Sequence, residues 1–221
     1  AEDVVLPRPV TIASHQTLDL TGDSLVAPSV VIEDGGMLTG SGAISGSVSG
    51  NGTIELSGGN MSLGDLNSKS GWNFDGTLNL NGNTVVLLDA DVATLGSITQ
   101  LGMGGTLVAA NGMELIDTYS LLGSGVIDSD FANEGTVNPE DGMIIFYGNV
   151  SGGGVFSGSA GTIVFTASYQ PGNSPGNISF AGDVIFGSNS HLEMELEDPN
   201  PGTGHDQLSI SGQLDVAGTL K

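Results

Sequence analysis

Gly52-Thr53-Ile54-Glu55-Leu56 and Gly76-Thr77-Leu78-Asn79-Leu80 are the stretches on which the fold turns. Each opens on a glycine and then alternates outward-type and apolar residues at period two, the pattern of a half-buried strand. The same Gly-Thr-apolar opening recurs at Gly105, Gly135, Gly161 and Gly218. Successive copies are separated by similar intervals, except that the last interval is close to two of the others. A second pattern, Gly40-Ser-Gly-Ala-Ile44, returns as Gly123-Ser-Gly-Val-Ile127. Self-similarity of this kind is the mark of a repeat architecture, here with an irregular unit of roughly 24–30 residues.

Between these stretches lie further short alternating bursts, such as Asn83-Thr-Val-Val-Leu-Leu88 and Ser209-Ile-Ser-Gly-Gln-Leu-Asp-Val216. Gly-Asn, Asn-Gly, Asp-Gly and Ser-Gly pairs separate them and supply the positive φ angles of sharp corners. No window of a dozen residues carries helical periodicity. Three short strands and three corners per unit predict a single-stranded, right-handed parallel β-helix of about seven or eight irregular rungs, folded as one domain over 1–221. Residues 1–10 are expected to cap the first rung. The predicted inward set is Ile54, Leu56, Leu78, Leu80, Leu107, Val137, Ile163 and Phe165, mostly small aliphatics suited to a narrow interior. A β-sandwich is the competing all-β architecture, but it gives no reason for Gly-Thr-apolar to recur at one phase.

Composition bounds the function. The 221 residues include 3 Lys+Arg against 25 Asp+Glu, a formal charge of −22, with no cysteine and 37 glycines. Such a surface repels nucleic acid, whose binding depends on cationic side chains releasing counterions. Without cysteine there are no disulfides, thiolate metal sites or thiol nucleophiles. Apolar runs stay short, as in Met143-Ile-Ile-Phe-Tyr147, so no membrane-spanning helix is expected. The opening Ala-Glu-Asp reads as a mature or trimmed segment and is compatible with export.

One region resembles a known family. Gly161-Thr162-Ile163, the turn from Pro171 to Gly176 (Pro-Gly-Asn-Ser-Pro-Gly), Leu192 to Leu196, His205-Asp206-Gln207-Leu208 and Gly218-Thr219-Leu220 resemble, in that order, the autotransporter-associated β-strand repeat of bacterial surface proteins. The match covers 161–221 and is looser elsewhere. It implies an exported β-solenoid that presents a stalk or adhesin outside the cell, and it implies no catalytic residue. The family's outer-membrane barrel or sorting anchor does not occur within 1–221.

Candidate constellations for chemistry are few. A lyase acting on acidic sugars needs cationic groups, and this chain has only Arg8, Lys69 and Lys221. Glycoside hydrolysis needs two facing carboxylates, and Asp89/Asp91 and Asp128/Asp130 are the candidate pairs, although turn residues produce the same spacing. His15, His191 and His205 lie far apart and have no triad arrangement; His205-Asp206 reads as a surface histidine beside a structural aspartate. In Glu193-Met-Glu-Leu-Glu197-Asp198, with Leu192, Met194 and Leu196 turned inward, Glu193, Glu195, Glu197 and Asp198 are the candidate calcium ligands. A solvated acidic ladder is the plainer reading of the same run, since the calcium-binding nonapeptide of β-rolls is missing. Trp72 is the best candidate for a sugar contact, or else a plug over a rung. The expected role is a non-enzymatic extracellular structural or adhesive solenoid, self-associating end to end with divalent cations assisting, or contacting a cell-surface or glycan partner. An extracellular carbohydrate-binding or carbohydrate-active module is the alternative. No cofactor other than calcium is expected, and no nucleic acid or direct membrane insertion.

Overall fold

The computed structural model describes residues 3–172, 176–200 and 204–221. The chain is an all-β parallel β-solenoid of about nine turns, with no helix among the described residues. It forms two compact units, Ala1–Met113 and Glu114–Lys221.

In the first unit, three ladders run from turn to turn. One carries Thr17, Met37, Thr53, Thr77 and Ile98 in register. A second carries Ser24, Ala43, Ser62, Val86 and Val108. The third joins Val10, Val30, Val48 and Trp72. All are parallel, because each strand meets its partner only after a full circuit. Alternation then sends every second side chain inward. Ile54, Leu56, Leu78, Leu80 and Leu107 are all at 0% exposure, as is Leu63. Burying a side chain of this size stabilises the fold by roughly 1.5–3 kcal/mol.

The second unit repeats the plan. Ile144, Ile163, Val184 and Leu214 share one ladder, and Phe131, Val150, Tyr169, Leu192 and Leu220 share another. The predicted inward residues Val137, Ile163 and Phe165 are buried here. The expectation of a mainly small-aliphatic interior fails in this unit. Phe131, Phe146, Phe156, Phe165, Phe180 and Phe186 are all buried, with Tyr169 among them. Phe146, Phe165 and Phe186 are successive ladder partners and stack with centroids 5.7 and 5.2 Å apart. Phe156 stacks on Phe180 at 4.5 Å. Parallel strands about 4.8 Å apart bring like side chains to near-stacking distance, so one aromatic favours another in the next turn.

Two features of the repeat differ from expectation. Many turns are shorter than the predicted unit, which is why about nine fit where seven or eight were expected. Phe131 pairs with Val150, Ile144 with Ile163, and Met37 with Thr53, each after one short circuit. Longer circuits also occur, as from Val184 to Leu214. The Gly-Thr-apolar copies, moreover, do not share one phase. Thr53 and Thr77 pair directly, whereas Thr106 lies over Thr84 on another ladder. Thr136, Thr162 and Thr219 pair with Val155, Asp183 and His191 on three different ladders. The tripeptide therefore marks the start of a strand after a corner, and its spacing is not the length of a turn.

Corners repeat a local device. Asp19, Asn79 and Asn138 each accept a hydrogen bond from the backbone N–H two positions on, at Thr21 (3.1 Å), Asn81 (3.2 Å) and Glu140 (2.8 Å). Those three donors have φ of 46°, 48° and 54°. The Asx side chain replaces the missing ladder bond and offsets the cost of a left-handed non-glycine residue. Where backbones approach still more closely, glycine is required. Gly64 has a φ of 114°, and a Cβ there would collide with the Leu88 carbonyl oxygen.

Candidate functional site

Several of the acidic residues that dominate the composition are held by backbone. Asp89 is 4% exposed, its Oδ2 accepting from the Trp72 N–H and its Oδ1 from the Asp91 N–H, both at 2.8 Å. Asp130 accepts from the Asn149 N–H, one turn on, and Asp183 from the Gln213 N–H, also one turn on. These carboxylates tie successive corners together. A charge-assisted bond of this kind is among the stronger hydrogen bonds available to a solenoid.

Both carboxylate pairs consequently sit at corners. Asp91 is exposed and faces Lys69 across 3.1 Å, with side chains 54% and 82% exposed, a pair whose contribution to stability is small. Asp128 and Asp130 flank a bend, and Asp130 is committed to Asn149. Neither pair combines two uncommitted carboxylates facing a cleft. Each histidine has a local contact of its own: His15 with Ser14, His191 with Thr219, and His205 with the Asp198 carbonyl oxygen.

The acidic run near the C-terminus departs from the regular strand expected of it. Strand structure stops at Leu192, and the chain leaves the ladder before returning at Gln207, so Leu196 is 80% exposed where an inward position was expected. Glu195 and Glu197 donate their N–H groups to hold the loop, Glu195 to Asp206 and Glu197 to the Gly204 carbonyl oxygen. Asp198 accepts from the backbone and side-chain nitrogens of Asn200. Glu193, Glu195, Glu197 and Asp198 are thus spread along a loop, and no three His, Asp or Glu side chains group as a metal site among the described residues.

Asp206 is the organising residue of this region, and the sequence marks it only as structural. It is 3% exposed, with Oδ1 accepting from the Gly176 N–H at 2.6 Å and Oδ2 from the Glu195 N–H at 2.7 Å. Backbone bonds run beside these, from the Asp206 N–H to the Glu195 carbonyl oxygen and from the Gln207 N–H to that of Gly176. One carboxylate therefore fastens the end of the Pro-Gly-rich turn to the acidic loop. The middle of that turn, 173–175, lies outside the described residues. Tyr169 is fully buried nearby, and its hydroxyl has no hydrogen-bond partner among the described residues. Burial first, and the Asp206 charge second, push that hydroxyl far above the ordinary tyrosine value, so it stays neutral.

Trp72 is 3% exposed, its ring N–H donating to the Thr94 carbonyl oxygen and its ring packed on Phe74 at 5.4 Å. It is a core residue and offers no sugar platform. The exposed apolar surface lies elsewhere. The last strands, Gln207–Ile210, Leu214–Val216 and Thr219–Leu220, surround an open cavity of about 600 Å³ lined by Leu192, Leu208, Leu214, Val216 and Leu220.

The class defined by fold and ladders is a parallel β-solenoid. No family model matches the chain, and neither the curated proteins nor the solved structures contain a match.

Proposed function

We propose that this chain is a non-enzymatic structural or adhesive segment of an exported bacterial surface protein of the autotransporter-repeat kind, associating end to end into a stalk with divalent cations bridging its acidic surface. The observation that supports this reading most is how the acids are used. Asp89, Asp130, Asp183 and Asp206 accept backbone N–H groups at corners, so one carboxylate of each candidate pair, together with two further aspartates, is committed to holding turns together. The remaining acids contribute to a net charge of −22 that favours solubility and resists lateral packing until salt or divalent cations screen it. Electron microscopy of the chain in millimolar calcium should show fibres or end-joined particles. Glycan binding or sugar release, in either case without any assembly, would instead identify a carbohydrate-directed module and overturn the proposal.

A further inference from the structure

We infer that the Asp198–Pro199 peptide bond is a self-cleavage site, opened by the Asp198 carboxylate while His205 holds the scissile carbonyl oxygen. The reaction belongs to a single chain and needs no association of copies. Of the 8 prolines, only Pro199 follows an aspartate. Both residues lie in an exposed loop whose base is closed by the antiparallel bridge between Leu196 and His205. The Glu197 and Asp198 N–H groups donate to the Gly204 carbonyl oxygen at 2.7 and 2.6 Å, and the Gly204 N–H donates to that of Asn200 at 2.7 Å. A Cβ at Gly204 would collide with the Asp198 carboxylate, so glycine is what lets the carboxylate lie there. Oδ1 accepts from the backbone N–H of Asn200 at 2.7 Å and from its side-chain nitrogen at 3.0 Å, which leaves Oδ2 without a partner among the described residues. His205 Nδ1 is 2.9 Å from the Asp198 carbonyl oxygen; a carbonyl oxygen only accepts, so Nδ1 carries the hydrogen.

These groups are what the cleavage needs. An aspartate side chain reaches its own carbonyl carbon through a five-membered ring, so nucleophile and target are already joined, and the loop supplies their orientation. Oδ2 bonds to the carbonyl carbon, and the His205 Nδ1–H stabilises the oxyanion that forms on the carbonyl oxygen. The C–N bond to Pro199 then breaks. The proline nitrogen, which carries no hydrogen in the chain, takes a proton from water and leaves as a secondary amine. Asp198 remains as a cyclic anhydride, which a water molecule opens. The net change is one water consumed, with a new terminal carboxylate at Asp198 and a new terminal amine at Pro199. Cleavage cuts the loop without releasing the strands that follow. Gln207–Ile210, Leu214–Val216 and Thr219–Leu220 remain paired with strands that precede the cut, and Asp206 still holds the Gly176 and Glu195 N–H groups. The product is a nicked solenoid whose ladders are intact.

The test follows the full chain over time in one mildly acidic buffer, with and without urea, by intact mass after denaturation. The expected products are 1–198 and 199–221, their masses together exceeding that of the chain by one water. Hydroxylamine added to the native sample should trap the anhydride as a hydroxamate on the 1–198 fragment. The folded chain should cleave about tenfold or more faster than the chain in urea, the advantage of a positioned oxyanion donor and nucleophile. Asp198→Ala should abolish cleavage. His205→Ala should bring the native rate down to the urea rate, and His205→Gln, which keeps a side-chain N–H, should restore part of it, with circular dichroism confirming that each variant is folded. Equal rates with and without urea would reduce the bond to an ordinary acid-labile Asp–Pro and overturn the inference, a comparison that needs no variant to fold. A native chain that stays intact, or a His205→Ala rate equal to that of the parent chain, would overturn it as well.

Discussion

Tyr169 and Asp206 show how individual side chains set the local energetics. The Tyr169 hydroxyl is buried without a partner among the described residues, so there it costs desolvation and returns no hydrogen bond. Tyr169→Phe should therefore leave stability unchanged or raise it by about 1 kcal/mol in urea unfolding; a clear loss would mean that the hydroxyl is satisfied in solution. Asp206 is the opposite case, since its two oxygens hold the N–H groups of Gly176 and Glu195. Asp206→Ala strands both donors and should cost about 2–5 kcal/mol. Asp206→Asn keeps one acceptor and should fall between, so equal losses for both variants would refute this division of labour. His205-Asp206 is readable as an outward and an inward residue from strand alternation. The two backbone partners of Asp206 are not, because Gly176 and Glu195 come from segments well separated from it along the chain.

Among strands and corners, the aromatic ladder carries the largest single stakes. Phe165 stacks on both Phe146 and Phe186 and lies close to Tyr169. Phe165→Ala should cost about 3–5 kcal/mol by thermal or denaturant unfolding. Val216→Ala, on the open side of the last turn, should change stability by less than about 0.5 kcal/mol. If the two losses were similar, the last turn would be covered in the isolated chain. Alternation alone identifies Ile54, Leu78 and Phe165 as inward, and all three are buried. It fails at Leu196, because alternation describes a side chain only while the strand lasts, and here the chain leaves the ladder after Leu192. Corner chemistry is partly readable: Thr17-Leu-Asp-Leu-Thr-Gly and Thr77-Leu-Asn-Leu-Asn-Gly are the same motif, and both fold into the Asx corner at Thr21 and Asn81.

For the whole molecule, the charge of −22 sets the response to solution conditions. Folding concentrates the carboxylates, so raising salt from low to near-physiological concentration should raise the melting temperature and then level off as the Debye length falls to about 8 Å. A melting temperature independent of salt would show that the carboxylates are already compensated by their corner bonds. Glycine-bounded strands of period two, without helical periodicity, specify an all-β fold; that these strands stack as parallel turns and not as a sandwich is decided by cross-turn pairing, since the Gly-Thr-apolar copies do not share one phase. The number of turns and the ladder to which each Gly-Thr-apolar strand belongs emerge only in three dimensions. A circuit as short as Met37 to Thr53 and one as long as Val184 to Leu214 each close onto the neighbouring turn in register. Residues added at a corner bulge outward without shifting the ladder, so only cross-turn pairing reveals which strand lies over which.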